Sequence, residues 1–275
     1  MAEEPILDFC DVSLRYEDVW ALRNVSLTLD PGETRIIFGA AGSGKTTLLK
    51  AVIGLVPIDE GQIRIFGEDI TSLKETQLFP LRSRAGMVFQ EGGLFDSLTV
   101  GENVEYPLLN RQTGGNGAHS EQDTEARVRD ALRFVELEHT FDKFPSEISG
   151  GMRRRVGIAR AIVTEPPLVL YDSPTAGLDP ITANTIMALI VKERDVRNSA
   201  ALIVTHRYQD GELMSDFCYD REHEEVVFIA EESDPRKNRT KFIVMKEGEI
   251  VFLGTRQELE ASDDSYVRRF VKHEE

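Results

Sequence analysis

The sequence predicts an α/β fold, built on a mostly parallel β-sheet that helices cover on both faces. Short apolar segments that suit buried strands alternate along the chain with segments of helical periodicity. One of these strands, Thr34–Phe38, leads directly into a glycine-rich turn and then into a helix. The chain has 275 residues and 41% hydrophobic content, which is enough for one compact unit with its own core.

The first part of the chain is predicted to be mainly β. Alternating apolar and polar residues indicate two opening strands, with a loop around Glu17 and Asp18. A helix is expected at Thr46–Leu55, because Gly54 and Pro57 would end it. The strands expected here are Ile6–Tyr16, Val25–Leu29, Thr34–Phe38, Gln62–Phe66 and Gly86–Phe89.

The middle of the chain, from Thr99 to about Thr164, has a helical pattern. Residues 113–120 are rich in Gly, Asn and Ser and indicate a surface loop. A helix is expected over 121–136, where apolar residues recur at helical spacing. Ser149 suits the N-cap of a further helix that ends near Thr164.

The last part returns to strands. Two buried strands, Leu168–Tyr171 and Ala201–Thr205, enclose a helix at Ile181–Val196. Asp234–Arg239 is expected to be a charged turn, and Asp263–Lys272 a short helix. The closing strands are expected at Glu225–Ala230, Lys241–Met245 and Glu249–Leu253.

The charge of the chain argues against nucleic acid as its main partner, since the net charge is −16 and the pI about 4.8. The two cysteines, Cys10 and Cys218, have no spacing that suits zinc or a disulfide framework, so reduced thiols are expected. No apolar run reaches the roughly 18 residues that cross a bilayer, and the start of the sequence has no secretory signal pattern. Membrane contact is therefore expected only through a partner that spans the bilayer.

Residues 39–46 match the phosphate-loop pattern G-x-x-x-x-G-K-T. Glycines let the backbone turn tightly and direct N–H groups at phosphate oxygens, and the following helix adds its positive N-terminus. Lys45 would reach the terminal phosphates, while the Thr46 hydroxyl suits Mg²⁺. The ATP-binding residues predicted here are Gly39, Ala40, Ala41, Gly42, Ser43, Gly44, Lys45, Thr46 and Thr47.

Asp172 ends the apolar strand Val169–Tyr171. The carboxyl edge of an open parallel sheet is where ligands bind, so this carboxylate is expected beside the phosphate loop as a magnesium ligand. Without the phosphate loop, Asp172 would be interpreted as an ordinary Asp at the end of a strand. The presence of the phosphate loop favours the role of magnesium ligand.

The segment Ser149–Arg153 resembles the signature motif of ABC ATPases. Further landmarks of that family follow in the same order, and the resemblance covers nearly the whole chain. Tyr16 resembles the aromatic residue that stacks on adenine, Gln90 the Q-loop glutamine, and His206 the switch histidine. The segment Ala176–Asp179 resembles the D-loop. Taken singly, Tyr16 could be a core aromatic, His206 a surface histidine and Gln90 a loop residue.

The resemblance implies an ABC-type P-loop NTPase that binds ATP and Mg²⁺, with Thr46, Gln90 and Asp172 around the metal. It implies a RecA-like, mostly parallel sheet core, an antiparallel β subdomain and an α-helical signature subdomain. One domain would cover 1–275, with the RecA-like and β core at 1–90 and 160–255, the helical subdomain at 91–159, an inserted arm at 217–240 and a tail at 256–275.

In this family two subunits stack head to tail, so the resemblance also implies a second copy as partner. The signature of one copy would grip the γ-phosphate held by the other. The residues concerned are Ser149, Gly150, Gly151 and Met152, with Asp179 in the D-loop.

A closer resemblance is to the ATPases of MCE-type, Mla-like lipid transporters, carried by Phe89–Val100 and Gly151–Val156. It implies phospholipid cargo, transmembrane permease subunits, an MCE-type substrate-binding protein, and a place on the cytoplasmic face of a bacterial inner membrane. Leu94, Phe95 and Leu98 would form a groove for a permease helix or, equally, belong to the core.

Position 173 departs from the family, which places a glutamate after the Asp172 equivalent to polarise the attacking water. Ser173 cannot accept a proton at neutral pH as a carboxylate does, so ATP binding is expected with slow hydrolysis, with His206 and Gln90 as the other catalytic residues. Three explanations stay open: another group or a water takes over, the subunit hydrolyses little, or the serine was introduced.

A second departure is the charged segment 217–240, interpreted as an inserted β-hairpin arm that either decorates the surface or contacts a partner. Two other function classes also stay open. One is a nucleotide-binding switch with little turnover, which Ser173 allows. The other is a soluble ABC ATPase of repair or translation. Against the latter, the chain has one set of motifs and no long coiled-coil insertion.

Overall fold

The computed structural model describes residues 4–90, 92–111, 121–231 and 234–271. Strands within these residues are β1 (Leu7–Tyr16), β2 (Val19–Leu29), β3 (Thr34–Gly39), β4 (Glu60–Ile65), β5 (Glu68–Asp69), β6 (Ala85–Val88), β7 (Leu168–Asp172), β8 (Ala200–Val204), β9 (Phe217–Asp220), β10 (Glu225–Phe228), β11 (Thr240–Lys246) and β12 (Glu249–Gly254). Helices are α1 (Lys45–Val52), α2 (Glu75–Arg82), α3 (Val100–Arg111), α4 (Glu121–Phe134), α5 (Gly150–Ile162), α6 (Pro180–Arg197), α7 (Tyr208–Asp216) and α8 (Arg256–Glu260).

The largest sheet has six strands in the order β12-β11-β3-β8-β7-β6. All neighbouring pairs from β11 to β6 are parallel, and β12 closes the sheet as an antiparallel partner of β11. The expected mostly parallel sheet of the α/β class is confirmed. Its parallel strands therefore end at one edge, which is where the candidate site lies.

Two apolar cores lie on opposite faces of this sheet, because successive side chains of a strand point to opposite sides. Ile36 and Phe38 of β3 belong to the core under the helices α3 to α7, whereas Ile37 belongs to the core under α1 and the strands β1, β2 and β4. Strand β8 divides in the same way, with Ile203 on the first face and Leu202 on the second. The apolar runs of these strands are thus buried on both sides.

A second, antiparallel sheet has the strand order β2-β1-β4-β5. Its hairpin turns at Glu17, which adopts φ +53°, and pairs Tyr16 with Val19. Strand β2 therefore begins at Val19, six residues before the start predicted from sequence.

The helical region is built as expected. Helix α5 begins after Ser149, whose side chain accepts a hydrogen bond from the Met152 N–H at 3.2 Å. This bond confirms the N-cap prediction. The predicted loop 113–120 lies outside the described residues.

The arm is a separate two-stranded antiparallel sheet of β9 and β10, followed by the 3₁₀ helix Pro235–Arg239. The C-terminal segment is less helical than predicted, since its described part, 263–271, contains only a 3₁₀ turn at Val267–Phe270. Helix α2 was not predicted, because Pro80 within it hides the helical pattern. No helix in the described parts of the chain is long and apolar enough to span a bilayer.

Candidate functional site

The glycine-rich loop joins β3 to α1, as the motif predicts. Gly44 stands at the N-cap of α1 with φ +102°, and no side chain caps the helix. The first N–H groups of the helix consequently remain for an anionic ligand. Ala40, Ala41 and Gly42 are exposed at the tip of the loop, so a phosphate can approach them from solvent.

Two glycines of this loop are sterically required. A Cβ at Gly39 would lie 2.4 Å from the Ser43 Oγ, and a Cβ at Gly44 would lie 2.2 Å from the Ala21 carbonyl oxygen. The second contact also places the β1–β2 hairpin against the loop. Tyr16, at the tip of that hairpin, is about half exposed and so presents its ring to solvent on this side of the molecule.

Lys45 is buried and folds back over the loop. Its ammonium donates to the carbonyl oxygens of Gly39 and Ala40, each at 2.8 Å. Burial lowers the pKa of Lys45 below its usual value, and the charge of Asp172 opposes that shift. These carbonyl bonds hold the side chain across the loop, where it can exchange them for phosphate oxygens.

Thr46 and Asp172 lie together at the edge of the sheet, where the Thr46 hydroxyl donates to Asp172 Oδ2 at 3.3 Å. A hydroxyl and a carboxylate oxygen are ligands that Mg²⁺ accepts. No cluster of three His, Cys, Asp or Glu side chains suited to a metal occurs among the described residues. A magnesium ion held by Thr46, Asp172 and the expected third ligand Gln90 would take its remaining ligands from phosphate and water, which fits a metal that arrives with a nucleotide.

Four neighbouring strands bring the predicted catalytic residues to one edge. The loop follows β3, His206 follows β8, Asp172 ends β7 and Gln90 follows β6. Partial desolvation lowers the pKa of His206, the Lys45 charge lowers it further, and Asp172 opposes both. His206 therefore lies near enough to Lys45 and Asp172 for their charges to act on it. His206 and Gln90 are both exposed, so they can meet a ligand.

Ser173 is buried beside this cluster. Its hydroxyl donates weakly to Asp172 Oδ1 at 3.4 Å, and its N–H donates to the Val204 carbonyl at 2.9 Å. The residue adopts φ +53°, a conformation that costs non-glycine residues energy. Position 173 is therefore held in place by the backbone, while its side chain offers a hydroxyl where a base would act.

The predicted signature residues do not meet the glycine-rich loop of their own chain. A Cβ at Gly151 would lie 2.8 Å from Thr182 Cγ2, so the start of α5 lies against the start of α6. Asp179 caps α6 by accepting from the Thr182 N–H at 3.0 Å. The first residues of α5, Ser149 and Gly150, are exposed, and this surface can be reached by another molecule.

Sequence reasoning missed the buried polar side chains that hold these loops. Arg160 of α5 donates to the carbonyls of Gly92 and Gly93, each at 2.8 Å. Asp210 and Arg154 hold the segment after Asp172. In the sequence, Arg153–Arg155 form one basic run in which the three residues look alike. Arg154 differs from its two neighbours in being buried.

The chain is similar to known proteins both in sequence and in fold. A family model described as "ABC transporter" matches residues 22–176. The chain is 39% identical over 188 residues to a methionine import ATP-binding protein MetN of Bifidobacterium longum, which covers 68% of this chain and 45% of that protein. It is also 39% identical over 218 residues to MetN 1 of Bacillus thuringiensis subsp. konkukian, covering 78% of this chain and 62% of that protein. The chain thus spans about half the length of the curated relatives it matches.

Among solved structures, the fold is similar to a dimeric post-hydrolysis state of the ATP-binding cassette MJ0796 bound to ADP and Pi. The TM-score is 0.74 and the identity 29%, over 90% of this chain and 98% of that one. It is also similar to cbiO1 from Clostridium perfringens, part of the transporter complex cbiONQ, with a TM-score of 0.76 and 28% identity over 98% and 95% of the two chains.

Proposed function

Since this chain belongs to the ABC transporter family, we propose that it is the ATP-binding subunit of a transport complex, and that it binds ATP with Mg²⁺ and hydrolyses it. The observation that carries this proposal is the loop of β3 and α1, with Thr46 and Asp172 in contact beside it. Without a nucleotide, such a loop would leave the helix N-terminus uncapped for no purpose.

Each residue of the site has a part in this activity. Lys45 binds the terminal phosphates, and the loop N–H groups hold the phosphate chain. Thr46 and Asp172 would hold the magnesium ion, which neutralises charge as the phosphoryl group leaves. Gln90 and His206 orient the attacking water and stabilise the charge that develops.

Ser173 sets the rate of this reaction. Its hydroxyl can donate to or accept from a water but cannot take its proton at neutral pH, and a positioned general base is worth about 10²–10⁴ in rate. We therefore place the subunit at the slow end of ATP hydrolysis, where the ATP-bound state persists. If hydrolysis were so slow as to be negligible, the subunit would act as a nucleotide-binding switch.

A second copy completes the site in this proposal. The exposed start of α5, with Ser149, Gly150, Gly151 and Met152, binds the γ-phosphate held by the partner copy, and Asp179 lies at the same interface. The features that favour this are the exposure of Ser149 and Gly150 at the start of α5 and the likeness to MJ0796, a bacterial ABC transporter cassette whose solved structure is dimeric. Tyr16 stacks on the adenine at the outer side of the loop.

The permease is proposed to dock on an apolar groove of about 490 Å³ beside the Gln90 loop. Four exposed aromatic side chains line it: Phe79, Phe89, Phe95 and Tyr106. Phe95, one of three residues that the sequence assigned equally to a groove or to the core, lines this groove. Leu94 packs against the core instead, and Leu98 does not line the groove. Membrane contact would thus come through the permease, on the cytoplasmic face of an inner membrane.

The cargo we propose is phospholipid, in a complex with an MCE-type substrate-binding protein. Its support is the segment Phe89–Val100, which includes the groove residues Phe89 and Phe95 and resembles the lipid-transport members of the family. A second candidate is methionine, which the curated relatives are named for importing.

Two measurements test these proposals. Equilibrium binding of Mg·ATP to the purified chain should saturate, while Lys45→Ala should lose at least tenfold in affinity; equal binding by both would contradict the site. Affinity purification in detergent should then recover a multi-spanning permease together with an MCE protein. Recovery of a methionine-import permease, with ATPase activity that responds to methionine, would replace lipid by methionine.

A further inference from the structure

Arg154 is a buried arginine of α5. Its guanidinium binds the backbone of another part of the chain, the segment that follows Asp172. Its Nη1 donates to the Pro174 carbonyl at 2.7 Å and lies 3.5 Å from the Ser173 carbonyl oxygen. Its Nη2 donates to the Ala176 carbonyl. The residue is only 8% exposed, and one fork of donors binds three carbonyl oxygens, of which the contacts to Ser173 and Pro174 are buried.

The segment that Arg154 holds connects two parts of the site. It runs from Asp172, beside the phosphate loop, to Asp179 at the N-cap of α6. Internal bonds turn it twice, from the Ala176 N–H to the Ser173 carbonyl and from the Leu178 N–H to the Thr175 carbonyl, each at 3.2 Å. A turned segment of this kind moves as one piece when its anchoring carbonyls move.

The opposite side of the segment is anchored by Asp210, a carboxylate with no exposed surface. Its Oδ2 accepts from the hydroxyls of Thr175 and Thr205, each at 2.5 Å. Thr205 directly precedes His206. The segment is thereby fixed to the strand end that carries His206 on one side and to α5 on the other.

Helix α5 is also attached to the loop after Gln90. Arg160 binds the Gly92 and Gly93 carbonyls, and a Cβ at Gly157 would lie 3.0 Å from Gly92 Cα. Helix α5, which starts at the signature residues, is therefore bonded to both loops through the buried arginines Arg154 and Arg160.

We propose that Arg154 is a positioning residue that couples the signature end of α5 to the segment 173–178. When the signature closes on the nucleotide of the partner copy, Arg154 carries that closure to position 173 and Asp179 of its own site. This inference rests on the proposed function, because it needs two copies closed around ATP. Each site thereby becomes competent only when its neighbour is occupied.

An arginine suits this role because its planar guanidinium offers five donors in a fixed fork. A lysine at this position would keep the charge but present one compact ammonium, and a glutamine would keep neither the charge nor the reach. Arg155 provides a matched control on the same helix. It also binds a backbone carbonyl, that of Val135 at 3.2 Å, but at the end of α4.

Hydrogen–deuterium exchange on the full chain tests the coupling. In the parent protein, Mg·ATP should slow amide exchange in the peptide covering 173–178 together with exchange at the start of α5. In Arg154→Gln, ATP should still slow amide exchange at the start of α5. The amide exchange rate of the peptide covering 173–178 should stay within twofold of its value without ATP. Arg155→Gln should behave as the parent, and Arg154→Lys should fall between.

Hydrolysis gives an independent readout. In a Ser173→Glu background, Arg154→Gln should lower kcat at least tenfold and leave KM for ATP within twofold, while Arg155→Gln changes neither by more than twofold. Equal protection of 173–178 in Arg154→Gln and the parent, or an unchanged kcat, would overturn the coupling. A parent protein that does not bind Mg·ATP would instead overturn the proposed function, and the coupling with it.

Discussion

The rate of hydrolysis in the proposed site depends on the side chain at position 173. Its backbone is fixed by the Val204 carbonyl and by Arg154, so a side chain placed there is directed into the site by the fold. Its hydroxyl lies 3.4 Å from Asp172 Oδ1, which keeps it within the polar cluster. The fold therefore holds position 173 where a general base could act, but a serine hydroxyl cannot act as that base.

Replacing Ser173 by Glu should raise the steady-state ATPase rate by about 10²–10⁴, the range that a positioned general base contributes. Phosphate release by the full chain measures it. The double variant Ser173→Glu, Lys45→Ala should show no such gain, because phosphate binding is lost. A Ser173→Glu protein that hydrolyses ATP no faster than the parent would contradict the assignment of this position.

The His206 imidazole should titrate below its ordinary value of 6.5, so that it is neutral at pH 7. Lys45→Met removes a positive charge that lowers this pKa and should raise it, whereas Asp172→Asn removes a negative charge and should lower it.

Histidine NMR titration measures these shifts, with His206→Gln identifying the resonance. His223 is an internal reference, because the Asp220 carboxylate raises its pKa instead. A His206 pKa that does not respond to Lys45→Met would mean that the two side chains do not share one site.

Individual residues were predictable to the extent that their signals are local in sequence. The loop residues 39–46 and Asp172 follow from contiguous motifs, and the structure places them together. Arg154 and Asp210 were not predicted, because their partners are distant in sequence. The carbonyls that Arg154 binds lie 19 to 22 positions away, and Thr175 lies 35 positions from Asp210. A one-dimensional pattern contains no signal for bonds of that separation.

At the scale of elements, the C-terminal segment supports the phosphate loop. The Tyr266 hydroxyl accepts from the Ala40 N–H at 3.2 Å and donates to the Met245 carbonyl at 3.0 Å. Phe270 stacks on Phe38 of β3 with ring centroids 6.1 Å apart. This segment therefore packs against the phosphate loop and the strand before it.

Tyr266→Phe removes both hydrogen bonds and keeps the ring, so we expect a loss of about 1–2 kcal/mol in the free energy of unfolding. We also expect weaker ATP binding, because the loop loses a support at Ala40. Denaturant unfolding and equilibrium ATP titration measure the two effects. Tyr219→Phe, in the arm, should change neither. Unchanged stability and affinity in Tyr266→Phe would show that the segment does not support the loop.

Strands were predicted better than short helices. The buried strands β3, β7 and β8 are apolar runs covered on both faces, and their sequences show it directly. Helix α2 has few apolar residues and an internal proline, and the 3₁₀ turn at Val267–Phe270 depends on packing against Phe38. Elements whose stability comes from tertiary contacts leave little pattern in sequence.

At the scale of the whole molecule, one sheet edge collects the ends of four parallel strands, and the signature helix starts elsewhere on the surface. This separation is what makes one copy incomplete in the proposed function. The net charge of −16 opposes the approach of two copies, so the contacts between the signature of one copy and the nucleotide bound by the other have to supply the attraction.

The mass of the purified chain with and without nucleotide, measured by sedimentation, tests this claim most directly. With Mg·ATP the parent protein should sediment as a dimer, because the proposed slow hydrolysis would let the ATP-bound state persist. With Mg·ADP it should be a monomer, and Lys45→Ala should remain monomeric in both. A parent protein that binds Mg·ATP to saturation and stays a monomer, alone and with its permease supplied, would contradict a nucleotide held between two copies.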